Sequence, residues 1–131
     1  MRILLDTHAF LWFVTDDRRL PRGWLPIIGE RSNSVYLSIG SLWEIAIKSG
    51  LGKLKLNMTF HTLVTAHIES RGFTILPITS EHLIELERLP NHHRDPFDRL
   101  IIAQGIAENL SIFTTDGQFD HYNILRPQAS A

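Results

Sequence analysis

The chain has no cysteine. That excludes a disulfide scaffold, a thiolate zinc site and a cysteine nucleophile, and it is compatible with a reducing compartment. An excess of one charge is also missing: 13 basic residues stand against 14 acidic ones, a formal net charge of -1. Without a global basic field, any nucleic-acid binding has to use a local patch. No apolar run approaches the ~20 residues of a membrane span. Ile3-Leu4-Leu5 meets Asp6 at once, whereas a signal peptide needs a longer apolar region. The expectation is a soluble, cytoplasmic protein with no membrane partner. Low complexity is absent too. Hydrophobic residues are 44% and charged residues 21% of 131, which suits a single domain over residues 1–131 with a real core.

What is present is alternation. Ile3-Leu4-Leu5, Val35-Tyr36-Leu37-Ser38-Ile39, Phe73-Thr74-Ile75-Leu76 and Ser111-Ile112-Phe113-Thr114 read as short buried strands, with a fifth over Asn123-Ile124-Leu125. Between them, helices are predicted over Ala9 to Val14, Leu42 to Lys48, Phe60 to Arg71, Ser80 to Leu89 and Pro96 to Asn109. A further helix within Leu20 to Glu30 is weakened by Pro21, Gly23, Pro26 and Gly29, and Lys53-Leu54-Lys55-Leu56 reads as a short extended piece. The clearest helix is Pro96 to Asn109, with Asp95 as its cap and Pro96 at its first position. Strands alternating with helices predict an α/β fold: a parallel sheet of about five strands flanked by helices. In such sheets ligands bind outside the carboxyl ends of the strands.

That rule makes the carboxylates informative. Asp6 ends the first strand, and Glu44 lies in the first turn of the helix after the second. Asp98 opens the helix that runs back before the fourth strand, and Asp116 follows that strand. All four are expected on one rim. Each has a local explanation. Asp6 could cap a helix. Ser41 and Glu44 fit a capping box, and Glu44 with Lys48 is a favourable pair one turn apart. Asp98 favours a helix dipole, and Asp116-Gly117 is an ordinary turn dipeptide. Together, however, four carboxylates repel one another, and a compensating cation is expected. Hard oxygen donors suit Mg²⁺ or Mn²⁺. Such a site activates water and stabilises charge on a phosphoryl group, which points to phosphodiester hydrolysis.

Leu4-Leu5-Asp6-Thr7-His8, Ser41-Leu42-Trp43-Glu44-Ile45, Asp95-Pro96-Phe97-Asp98-Arg99-Leu100-Ile101-Ile102-Ala103-Gln104 and Thr114-Thr115-Asp116 resemble the PIN-domain ribonucleases. The likeness is greatest to the VapC toxins of bacterial toxin–antitoxin pairs, and it runs from Ile3 to about Asp116. Any one stretch is weakly specific; all of them, in order, are strongly so. The resemblance implies that Asp6, Glu44 and Asp98 hold metal, that Asp116 is a more variable fourth acid, and that Thr115 is the hydroxyl residue beside it. It further implies Mg²⁺- or Mn²⁺-dependent RNA cleavage, a homodimer and a cognate antitoxin. The family's helix commonly has a small residue where Ile102 stands, and Asp95 is a second candidate for the third ligand.

A second class of function stays open, a PIN-like binding module that holds a partner without cleaving. A phosphoacceptor receiver domain is discounted, because the third strand ends Leu76-Pro77-Ile78-Thr79 without an acid. A phosphatase is discounted because Asp6-Thr7-His8 lacks a second aspartate. His92-His93-Arg94 reads as a solvated polar loop, with contact to RNA phosphate as the alternative. His8 reads as a helix-start histidine. Lys48, Lys53 and Lys55 form a modest basic run near Glu44 that steers RNA or simply faces solvent. For Trp12, Phe13, Trp24 and Trp43 core packing is the default.

Overall fold

Ile3, Leu4 and Leu5 leave no polar face, and a strand of that kind has to be covered on both sides. In the computed structural model, which describes residues 1–127, all three are fully buried. The strands are β1 (Arg2–Leu5), β2 (Ser34–Ser38), β3 (Thr74–Leu76) and β4 (Ser111–Phe113). They form one parallel sheet in the order β3-β2-β1-β4, with Leu5 opposite Leu37 on one side and Phe113 on the other.

Successive side chains of a strand point to opposite faces, and the core divides accordingly. Ile3 and Leu5 join Phe10, Leu37, Ile45 and Phe113 on one face, while Leu4 meets Ile101, Ile102, Ala103 and Ile112 on the other. The first face is covered by α1 (Thr7–Val14), the short α2 (Trp24–Gly29), α3 (Ile39–Gly50) and α4 (Phe60–Val64); the second by α5 (Ser80–Arg88) and α6 (Pro96–Glu108).

The expected fifth strand is reduced to a single bridge, Ser111 with Leu125, and one hydrogen bond from the Ile112 N–H to the Leu125 carbonyl at 2.8 Å. Only Ile124 and Leu125 are apolar there, and Pro127 has no N–H for a ladder. The helix expected over Phe60 to Arg71 changes pitch: α4 passes into a wider π-helical stretch, Thr65–Glu69. Gly72 then turns away at φ 74°, in the left-handed region that glycine adopts without a Cβ penalty. Lys53 to Leu56 forms no strand. Among the described residues, no helix is long and apolar enough to cross a membrane.

The start of α3 moves upstream of the expected Leu42. Ser38 ends β2 and caps the helix at once, its hydroxyl accepting the Gly40 N–H at 3.0 Å. Gly40 also permits close approach to α6, since a Cβ there would stand 2.5 Å from Leu100 Cδ2. Trp43 and Phe97 meet edge to face at 5.3 Å across the same helix pair. This contact sets α3 against the amino end of α6.

Candidate metal centre at the carboxyl rim

Asp6 follows β1 directly, and its N–H donates to the Phe113 carbonyl at 3.1 Å, so the backbone seats it where β1 and β4 end. It does cap α1: Oδ1 accepts the Ala9 N–H at 2.7 Å. A cap of this kind does not require burial, yet Asp6 is only 4% exposed. Burial pushes its carboxyl above the ordinary value, and the charge of Asp116 adds to the effect.

Asp95 and Asp98 divide two jobs. The Asp95 carboxylate accepts the N–H groups of Phe97 and Asp98 at 2.8 and 3.3 Å, and with Pro96 at the first position it starts α6. Asp98, three residues on, is turned into the rim. Its carboxyl is pushed up to about 7, first by burial and then by the charge of Asp95, with Asp6 and Glu44 adding to the repulsion and His93 opposing it.

Glu44 is not in the first turn of its helix, because α3 begins at Ile39; the expected Ser41–Glu44 capping box does not form. The Ser41 hydroxyl instead accepts from Thr7 Oγ1 at 2.8 Å. Glu44 is buried, with Oε2 accepting from Lys48 Nζ at 2.7 Å and Oε1 without a hydrogen-bond partner among the described residues. A buried carboxylate oxygen with nothing to accept is costly.

Asp116 is the third residue after β4. Its N–H donates to Thr114 Oγ1 at 3.0 Å, and its Oδ1 accepts the Gln118 N–H at 2.9 Å as the 3₁₀ turn Gly117–His121 begins. Thr114 is buried and Thr115 faces solvent, so the hydroxyl beside Asp116 is that of Thr114 and not the expected Thr115.

The tightest group on the rim includes a residue expected to be solvated. His93 is buried, and His93, Asp98 and Asp116 each offer a ligand atom within 4.8 Å of the others. Asp6 and Glu44 stand outside that group but raise the pKa of Asp98 through their charge. The signal for His93 lay in Tyr122 and Phe119, about 30 residues later. The Tyr122 hydroxyl accepts the main-chain N–H groups of His92 and His93 at 3.1 and 2.8 Å. The His93 ring lies edge-on to Phe119 at 5.9 Å.

Beside Glu44 a cleft of about 440 Å³ is lined by Thr7 and Trp12 and by Lys48, Lys53 and Lys55. The basic run therefore opens onto Glu44, the one of the four acids that lines this cleft. His8 is exposed beside Trp12; Phe13 and Trp24 are partly buried against the core, and Trp43 is 60% exposed.

The donor set fits a divalent cation. It consists of hard carboxylate oxygens, it is partly desolvated, burial and neighbouring charge push the carboxyls of Asp6 and Asp98 up, and one buried oxygen has no partner among the described residues. A family model for the PIN domain matches residues 3–125. Among solved structures, the chain is similar to one in the crystal structure of VapBC2 from Rickettsia felis bound to a DNA fragment from their promoter. The TM-score is 0.72, with 19% identity and 96% of each chain covered. No curated protein matches the sequence.

Proposed function

The chain belongs to the PIN-domain family, and from that premise we propose that it is a Mg²⁺- or Mn²⁺-dependent endoribonuclease, the toxin of a toxin–antitoxin pair. The observation that carries the reading is the orphaned, buried Oε1 of Glu44 on a rim where Asp98 is held up to about 7. An acid set arranged only for stability would not keep an unsatisfied carboxylate oxygen beside other carboxylates. Likeness in fold to VapBC2 supports the toxin part of the reading. On the same grounds we assign a cognate antitoxin as partner, a homodimer as the assembly and the cytoplasm as its place.

In this mechanism Asp6, Glu44, Asp98 and Asp116 hold the metal. A cation held there would supply Lewis-acid polarisation of a phosphoryl oxygen and activation of water. Lys48 fixes Glu44 through Oε2, which leaves Oε1 as the oxygen turned to the metal and its water. Thr114 and the Gln118 N–H orient Asp116. Lys53 and Lys55 take RNA phosphates along the cleft, contacts that position the strand without reading its sequence.

The test is cleavage of RNA by the purified protein with Mn²⁺, with Mg²⁺ and with excess EDTA. Cleavage is expected in the first two and none in the third. Undiminished cleavage in chelator would overturn the metal mechanism. Tight RNA binding with no cleavage under any metal would favour the inactive binding module.

A further inference from the structure

The Nε2 of His93 lies 3.0 Å from Asp98 Oδ2 and 3.3 Å from Asp116 Oδ2. An imidazole nitrogen between two carboxylates does one of two things. It offers a lone pair to a cation shared with them, or it donates an N–H to them. The other ring nitrogen decides between the two, because a neutral imidazole carries one proton.

His93 Nδ1 accepts the main-chain N–H of Asp95 at 3.2 Å. It therefore carries no proton, and the ring proton sits on Nε2. The Asp95 amide is held in place by its own role, since Asp95 is the cap of α6. Arg99 adds a contact from inside the helix, its Nη1 donating to the His93 carbonyl at 3.4 Å. Tyr122 and Phe119 fix the backbone and ring from the other side. Coordination through Nε2 would move the proton to Nδ1, where it would face the Asp95 N–H donor to donor.

We infer that His93 is a positioning residue and not a ligand: it donates its Nε2–H to Asp116 Oδ2, with Asp98 Oδ2 in close contact at 3.0 Å, and so sets how the two carboxylates face a cation. Asp116 Oδ2 accepts from the ring and Asp116 Oδ1 from the Gln118 N–H, which leaves each a further lone pair for a cation. Asp98 Oδ1 accepts no hydrogen bond from any described residue and is wholly open to the metal. The consequence for catalysis rests on the nuclease reading; the tautomer does not.

Long-range ¹H–¹⁵N spectra of the wild-type protein test the tautomer directly. His93 should be Nε2–H both metal-free and saturated with Mg²⁺. A switch to the Nδ1–H form on Mg²⁺ addition would identify it as a ligand and overturn the inference. Calorimetry with Mn²⁺ tests the positioning. His93→Leu removes the donor and should weaken Mn²⁺ by about 10- to 100-fold, the usual effect of losing a partner of a ligating carboxylate. His93→Gln keeps an N–H near the same place and should restore most of the affinity. Equal losses in both variants, or none in His93→Leu, would count against the inference. Neither readout needs RNA, so a protein that passes both and leaves RNA intact would overturn the nuclease reading alone.

Discussion

Asp95 and Asp98 are one helical turn apart and answer to different physics. Asp95 is a cap, and Asn caps about as well as Asp. Asp95→Asn should therefore leave melting temperature and RNA cleavage close to those of the wild type. Asp98 is held at about 7 against an ordinary 3.8. A folded value above the unfolded one means that the native state keeps the extra proton. Metal-free stability from this group is then full at low pH and declines as pH rises from about 4 to about 7. Asp98→Asn has no such proton to lose. In metal-free thermal melts, its melting temperature should rise relative to the wild type on going from about pH 5 to about pH 8. Cleavage should be abolished and Mn²⁺ binding weakened. A gap between the two proteins that does not change with pH would show that Asp98 is not strained. The cap at Asp95 and the place of Asp98 one turn inside were legible in the sequence, because caps and their offsets are local. His93 was not, because its burial depends on Tyr122, Phe119 and Asp116, which only the folded chain brings to it.

Elements were legible where their signals were near neighbours. Pro96–Glu108 begins at its cap and its proline, and ends at Asn109 in the left-handed conformation, φ 57°. The beginning of α3 was misjudged because Ser38 and Ser41 both look like caps, and the choice depends on where β2 ends against β1. That shift carries Glu44 from the first turn into the second and removes the capping-box explanation for it. The π stretch in Thr65–Glu69 has no local signature in the sequence. Packing between elements is testable through two glycines. A Cβ at Gly105 would stand 2.5 and 2.8 Å from side-chain carbons of Ile112, a fully buried residue of β4. Gly105→Ala should cost about 1–3 kcal/mol, the usual penalty of overpacking. Gly50→Ala, with nothing within 4 Å, should be neutral or stabilising by up to ~1 kcal/mol. Denaturant midpoints of the two variants check the contrast.

For the whole molecule, the parallel order of the sheet made the rim legible before any contact was known. Strand ends and helix starts share one edge in such a fold, and Asp6, Asp98 and Asp116 fell on them, with Glu44 a turn further into α3. Fold class followed from alternation alone, whereas the count of strands did not, since the last pairing is one bridge. At this scale the proposal predicts a phenotype. Expression of the chain alone in a bacterium should arrest growth, and Asp6→Asn should relieve the arrest. Asn still caps α1 but removes a charge from the rim, so the variant should accumulate as soluble protein. Equal arrest by the variant at equal soluble level would exclude a catalytic role for Asp6.

The neighbour of β1 on one side is β4, the last strand of the sheet to be made. Asp6 leaves the ribosome early, but the carbonyl of Phe113 that receives its N–H comes more than 100 residues later. Until residues 111–113 have emerged, one edge of β1 stands open and Asp116 is not yet at the rim. Pairings of such wide sequence separation form late, after the loop between them has closed. A ribosome carrying this chain therefore holds three of the four acids without the fourth, and the rim is completed only after Asp116 has emerged. If the protein cuts RNA, the polysome that makes it is spared until then.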